Sequence, residues 1–426
     1  MFTDDRHKQR EFAWISWRYS RPRMTALAAV VLVSATLAGS IAQAQTETVL
    51  YAFTGATSGS NPNSGLVRDE EGNLYGTVLN GGAGRISCSY FGLPGCGTVF
   101  KVDPRGNLTV LHNFTLGADG AGPWLGTLIR DEDGNLYGTT YLGGFNPFTN
   151  SGAVFKVDRN GKETVLYVFK GGTDGGGPFG GLTRDEEGNL YGTTSYSGAF
   201  GYGVVFKLDP SGKETVLHSF AGPDGSDPSA SLIRDRQGNL YGTTFSGGAN
   251  GLGTVFKLDP TGVETVLHSF TGNPDGADPI GGVIRGKNGN LYGTTSRGGA
   301  YGQGTVFKLD PAGNESVLYS FTGKADGGYP GASVIRDEKG NLYGTALFGG
   351  IQGSGVVFKL DPNGKETVLY SFTGGADGAN PYAPLIRDRE GNLYSTTSSG
   401  GDLSGTCAPS GCGVVFKLTP AGGKSN

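Results

Sequence analysis

The sequence predicts an all-β chain folded as a seven-bladed β-propeller of four-stranded antiparallel blades, and three observations carry that expectation. First, a motif close to Gly-Asn-Leu-Tyr-Gly-Thr-Thr recurs along the chain, with tyrosines at Tyr75, Tyr137, Tyr191, Tyr241, Tyr292, Tyr343 and Tyr394, spaced by 62, 54, 50, 51, 51 and 51 residues. A fixed period near 50 marks a repeat architecture. Second, each unit holds four short stretches of alternating apolar and polar residues parted by turn residues, which is the pattern of strands. Seven such units fall within the range of about 4 to 8 blades. Third, the repeat is incomplete at both ends in complementary ways. Glu47–Leu50 is a copy of the fourth stretch with no motif before it, and the last third stretch, Val414–Pro420, has no fourth stretch after it. Joined, the two ends complete the seventh blade and hide the edges of an open sheet; a linear solenoid gives no reason for that match.

The elements follow in order within each unit. An apolar stretch ending in Leu-Ile-Arg-Asp is strand one, and the recurring Tyr motif is strand two. Between them lies a tight Asp-x-x-Gly-Asn turn, as at Asp185–Asn189. Gly-Thr-Val-Phe-Lys-Leu-Asp-Pro is strand three and Glu-Thr-Val-Leu-Tyr-Ser-Phe is strand four, joined by an Asp-Pro-x-Gly-Lys turn such as Asp209–Lys213. Pro fixes φ early in that turn and Gly takes positive φ late in it. The connections from strand two to three, and from strand four to the next unit, are longer, Gly-rich and variable. Antiparallel order therefore places uniform hairpins at one end of the molecule and all the variable loops at the other.

The chain of 426 residues is 36% hydrophobic and 17% charged with 79 Gly, neither a disordered nor a collagen-like composition. Residues 1–44 read as a signal peptide: basic residues from Arg18 to Arg23, an apolar run from Met24 to Ala42, and the small-x-small site Ala42-Gln43-Ala44. Met1 and Met24 both stand as candidate starts. The apolar run is at the short end for a membrane span, so no stable membrane insertion is expected after cleavage. Residues 45–420 form the propeller and 421–426 a short tail. Without its leader the chain keeps 28 Lys and Arg against 35 Asp and Glu, a net charge of −7 with no basic cluster. Nucleic acid is excluded as an expected partner, and a monomer is expected.

Cys88, Cys96, Cys407 and Cys412 all fall in loops between strands two and three, in the first and last units. In an oxidising setting they are expected to form disulfides, with local pairs Cys88–Cys96 and Cys407–Cys412 favoured over a cross-blade pairing. Zinc held by all four thiolates fits the spacings poorly.

Catalysis calls for a base, a nucleophile or a metal, and the repeats offer few unique ones. His112, His218 and His268 share one strand-four position with Tyr51, Tyr167, Tyr319 and Tyr370, so they read as surface filling on an outer strand. The arginines before the first turn recur in every unit, from Arg68 to Arg387, and are expected to pair with turn carboxylates or neighbouring blades. An Asp-Gly pair in six inter-blade loops, at Asp119, Asp174, Asp224, Asp275, Asp326 and Asp377 with Ser58 in the first unit, is a weak candidate for calcium. One carboxylate per loop is short of the 6 to 8 oxygens calcium takes, and an Asx-type turn is the simpler reading. No cofactor is expected.

Function should sit where the units differ. The residue after each loop proline is Asn63, Trp124, Phe179, Ser229, Ile280, Gly331 or Tyr382, placed near the mouth of the central channel if strand one is innermost. Nearby loops add Tyr90, Phe91, Phe145, Phe148, Tyr196, Tyr202 and Phe348. Aromatics and loop amides suit sugar rings or an extended peptide; the alternative is that they only plug the channel.

The combination of Gly-Asn-Leu-Tyr-Gly-Thr-Thr, the Gly-Gly loop, Val-Phe-Lys-Leu-Asp-Pro-x-Gly-Lys-Glu-Thr-Val-Leu-Tyr-Ser-Phe and Asp-Gly resembles the GloVer tandem repeat of bacterial exported proteins known as choice-of-anchor proteins, over residues 46–420. That resemblance implies an extracytoplasmic repeat protein whose relatives carry differing C-terminal sorting signals. The tail Ala421–Asn426 shows no apolar stretch or sorting motif, so a periplasmic or secreted protein is expected. The sequence thus points to an exported binding or scaffold module for an extracellular carbohydrate or protein. A propeller enzyme is the alternative, because the short blades also resemble those of streptogramin-lyase-like propellers; a purely structural surface component is the third reading.

Overall fold

The computed structural model describes residues 45–55, 57–83, 88, 95–144 and 151–420. Residues 1–44, read from the sequence as a signal peptide, residues 421–426, Tyr90, Phe91, Phe145 and Phe148 lie outside the described residues. The described residues form seven four-stranded antiparallel sheets, so the predicted propeller is found. Blade 3 serves for all: Thr183–Arg184, Leu190–Thr194, Val204–Leu208 and Glu214–Ser219, paired in that order. Blade 7 is assembled from both ends of the chain, with Thr46–Ala52 as its outer strand against Val414–Thr419. Blades 1 to 6 follow in chain order between them. Among the described residues no helix is long and apolar enough to cross a membrane.

The recurring motif explains itself as one hydrogen-bonded unit. In blade 3 the Asp185 carboxylate accepts from Asn189 N and Nδ2, each at 2.8 Å, and from the Tyr191 hydroxyl at 2.9 Å. Gly188 supplies the positive φ of 87° that closes the turn. The Gly of strand two lies against strand three: a Cβ on Gly192 would stand 2.6 Å from Phe206 Cζ. The next Thr reaches into the following blade, Thr193 Oγ1 donating to Ala230 O and Thr243 Oγ1 to Gly281 O, both at 3.2 Å. Arg68, Arg234, Arg285 and Arg336 each settle over the Tyr of the preceding blade, as with Arg234 5.8 Å from the Tyr191 ring centre and Arg68 5.8 Å from Tyr394. The neighbouring blade holds these arginines, and its turn carboxylate takes part, the charge of Arg68 acting on Asp388 and that of Arg130 on Asp69.

A ring of phenylalanines forms the core between blades. The Phe after each outer strand meets the strand-three Phe of the next blade edge to face, with centroids 5.0–5.2 Å apart at all seven seams. Phe53 and Phe100 make the contact that closes the circle, and both are fully buried. Burying one such side chain contributes about 1.5–3 kcal/mol, and the edge-to-face contact adds about 0.5–1.5 kcal/mol. The ring therefore holds together through the same Phe–Phe contact at every seam, including the one that joins the two ends of the chain.

Candidate functional site

Seven copies of one backbone frame present the variable side chains. The residue before each loop proline has positive φ in every unit: Asn61, Gly122, Gly177, Asp227, Asp278, Tyr329 and Asn380, all between 55° and 62°. Its N–H donates to the loop of the preceding blade, as from Gly177 to Ser151 O at 2.8 Å, and its carbonyl accepts from the residue just past strand two, as from Ser195 N at 3.0 Å. The frame costs strain at five non-Gly positions, and it fixes three rings of variable side chains: before the proline, after it, and just past strand two. The segments holding them touch round the ring. A Cβ on Gly180 would stand 2.5 Å from Ala230 C, and one on Gly331 3.2 Å from the Tyr382 ring.

One arc of this frame is aromatic. Trp124 lies 5.2 Å from Phe179, Tyr141 stands 5.8 Å from Trp124 and 5.7 Å from Phe179, and Tyr196 is 6.1 Å from Tyr141. Trp124, Phe179 and Tyr196 are half-buried, whereas Tyr141 is 4% exposed and supports them from beneath. Gly176 and Gly177 make room for the rings: a Cβ on Gly176 would come within 2.5 Å of Tyr196, and one on Gly177 within 2.8 Å of Tyr141. The disulfide Cys88–Cys96 packs into the same apolar cluster. Behind Trp124 the cavity is only about 10 Å³, bounded by Leu79, Cys88 and Tyr141, too small for more than about one water. The arc thus offers partly exposed rings instead of a deep hole. Beside it in the same ring, Asn63 holds a buried Oδ1 with no hydrogen-bond partner among the described residues.

The rest of the frame is more polar. Asp227 is buried and accepts from Ser229 Oγ at 2.8 Å; burial pushes its carboxyl up to about 6 against that hydrogen bond. Asp278 is pushed up by burial to about 6 as well, partly offset by Arg297, whose Nη1 lies 3.6 Å away. Ile280 is buried at 8% exposure, and Tyr382 covers Gly331. Among the predicted residues the structure brings together Trp124, Phe179 and Tyr196, and it adds Tyr141, Asp227 and Asp278, which the sequence reading passed over. Tyr141 follows the Thr-Thr shared by five units and occupies a position that reads Leu79, Tyr141, Ser195, Phe245, Ser296, Leu347 and Ser398 round the ring. That variation was the available signal.

The histidines and Asp-Gly aspartates meet at the seams. His112, His218 and His268 place Nε2 at 3.3, 2.9 and 3.0 Å from Asp119, Asp224 and Asp275, where Tyr167, Tyr319 and Tyr370 donate to Asp174, Asp326 and Asp377. The histidine side chains are only 17–19% exposed, so the surface reading understated their burial. Each Asp also accepts a backbone N–H within its own loop, such as Thr115 N to Asp119 at 2.9 Å. Facing each Asp is the Glu that opens the outer strand of the next blade. Burial, then the Asp charge, raises Glu47, Glu214, Glu315 and Glu366 to about 7. At the seam between blades 7 and 1 the pair is replaced by Ser58 and Leu108. There a cleft of about 530 Å³ opens, lined by Tyr51, Thr54, Ser58, Asn107, Leu108 and Asn113 among others. Cys407–Cys412 forms the second local disulfide beside this seam, with Cys412 Sγ 3.3 Å from where a Cβ on Gly55 would lie.

A family profile described as the Gloeobacter/Verrucomicrobia repeat matches residues 35–248 and 228–426. The chain belongs to this repeat family. Two tandem matches of the Gloeobacter/Verrucomicrobia repeat thus span the seven blades, and the resemblance read from the motifs is borne out. No curated protein matches the chain. Among solved structures, the extracellular domain of a hybrid two-component system from B. thetaiotaomicron is similar at 10% identity with a TM-score of 0.54, covering 88% of this chain and 40% of that one. A gluconolactonase from Xanthomonas campestris is similar at 14% identity with a TM-score of 0.40, covering 64% of this chain and 82% of that one. At 10% identity the likeness to the extracellular domain is one of fold. The described part of this Gloeobacter/Verrucomicrobia repeat protein spans less than half of the first of those two chains.

Proposed function

We propose that this propeller is an exported binding module that recognises an extracellular carbohydrate on the aromatic arc of its variable-loop face. The observation that carries the reading is the cluster of Trp124, Phe179 and Tyr196 on Tyr141, the one aromatic group of this size that the described frame builds. Flat, partly exposed rings stack on the apolar faces of sugars. The leader pattern and the two disulfides support export, because such bonds persist in oxidising compartments. The family resemblance to choice-of-anchor proteins and the extracellular domain of similar fold agree with it. A glycan array tests the reading: binding that Trp124→Ala removes supports it, and an array on which the intact protein binds nothing rejects it.

One observation favours a second reading, an enzyme acting on an extracellular substrate. Asp227 and Asp278 are not repeated in the other blades, lie in the same frame, and are raised to about 6, within the range where carboxyls exchange protons near neutrality. Turnover of a bound glycan that is lost in Asp227→Asn or Asp278→Asn would favour this reading over binding alone.

A further inference from the structure

Of the six seams that carry an Asp and a Glu, the one between blades 3 and 4 differs in construction. His218 Nε2, an Asp224 oxygen and a Glu264 oxygen all lie within 4.8 Å of one another. The inter-blade loop here is one residue shorter, so His218 and Asp224 are six apart where His112 and Asp119, and His268 and Asp275, are seven apart. Ala221 also stands where the other two histidine seams have Thr115 and Thr271, whose hydroxyls hold Oδ1 of their Asp at 2.6 Å. In blade 3 Asp224 Oδ1 takes only the Ala221 N–H, at 2.8 Å, and no side-chain hydroxyl competes for it. Across the seam Glu264 Oε1 is enclosed and has no hydrogen-bond partner among the described residues. The other seams share that orphaned glutamate oxygen, but without a third donor drawn within the same reach.

We propose that His218, Asp224 and Glu264 form a divalent-cation site between blades 3 and 4, with Zn²⁺ as the ion their donors fit best. An imidazole nitrogen with two carboxylate oxygens is a set suited to zinc, whereas calcium asks for 6 to 8 oxygens. Zinc bonds of about 2.0–2.2 Å place tetrahedral donors roughly 3.3 Å apart. His218 Nε2 and Asp224 Oδ2 stand 2.9 Å apart, so a small opening of that pair admits the ion. Neutral His218 then turns its Nε2 lone pair to the metal, Asp224 keeps its backbone hydrogen bond, and Glu264 Oε1 gains its partner. Three protein ligands leave a fourth position for water. Because Glu264 comes from the next blade, the ion staples one seam of the ring.

The test is equilibrium dialysis of the untagged, chelator-treated full chain against micromolar zinc, with bound metal counted by mass spectrometry. One zinc per chain is expected. Tyr is the natural residue at this position in four other blades, so His218→Tyr should fold, and it should lose the ion. Glu264→Gln should weaken binding at least by the roughly 10–100-fold that supporting residues of metal sites carry. His268→Tyr should bind as the unaltered chain does, and zinc should raise the melting temperature of that variant but not of His218→Tyr. No bound zinc, a zinc that survives His218→Tyr in a folded chain, or three zincs lost one by one with the three histidines would overturn the assignment.

Discussion

Replacing Glu366 by Leu, the residue that blade 1 carries at the same place as Leu108, should stabilise the protein at alkaline pH and not in acid. Glu366 opens the outer strand of blade 6, where burial and then the charge of Asp326 raise its carboxyl from 4.5 to about 7. A raised carboxyl gives stability that is complete below the unfolded value and is lost as pH climbs through the folded one. The difference corresponds to about 3.4 kcal/mol for a fully enclosed group. Glu366 is half-buried, and solvent screening brings the effect to about 1–1.5 kcal/mol. The groups facing it are Asp326 and Tyr319, whose hydroxyl donates to Asp326 at 2.9 Å. Denaturant unfolding at pH 8 and pH 4.5 measures it. The variant should gain about 1–1.5 kcal/mol over the parent at pH 8 and lose that advantage at pH 4.5. An equal change at both pH values would refute the reasoning, because the carboxyl would then carry no differential charge.

Two further outcomes follow from packing. Phe358→Ala, at the seam between blades 5 and 6, should cost about 3–5 kcal/mol, and Phe53→Ala at the closing seam should cost as much; a much smaller loss at Phe53 in denaturant unfolding would mean that the ring does not close through the phenylalanines. Gly177→Ala adds a Cβ 2.8 Å from the Tyr141 ring at a residue with φ of 62°. It should cost about 1–3 kcal/mol and disturb the near-ultraviolet dichroism of the aromatic arc; an unchanged spectrum would show that the rings do not rest on this residue.

The fold was legible because each blade repeats its evidence of turn and strand, and because Glu47–Leu50 and Val414–Pro420 are halves of one blade. The pairing of Thr46–Ala52 with Val414–Thr419 follows from that phase alone. The candidate site was legible in part. Trp124 and Phe179 stood out as departures at a repeated position, but Tyr141 did not, since it lies one residue past the recurrent motif, whose own positions vary little. Contacts between a Glu and the Asp of the preceding blade depend on blade twist, which brings the foot of one outer strand to the loop following its neighbour. Spacing along the chain does not reveal that. A trace was nevertheless present: Ser58 and Leu108, the two departures from the Asp and Glu pattern, fall at the same seam.

The central claim is that the aromatic arc binds sugar. Its most direct test is a calorimetric titration of a glycan selected on an array, with the parent protein beside Trp124→Ala and His268→Tyr. Loss of one half-buried indole face should weaken binding by about 1.5–3 kcal/mol, roughly 10- to 100-fold, while His268→Tyr at the distant outer rim should bind like the parent. Equal affinity of Trp124→Ala and the parent would contradict the account and move the ligand site away from the arc.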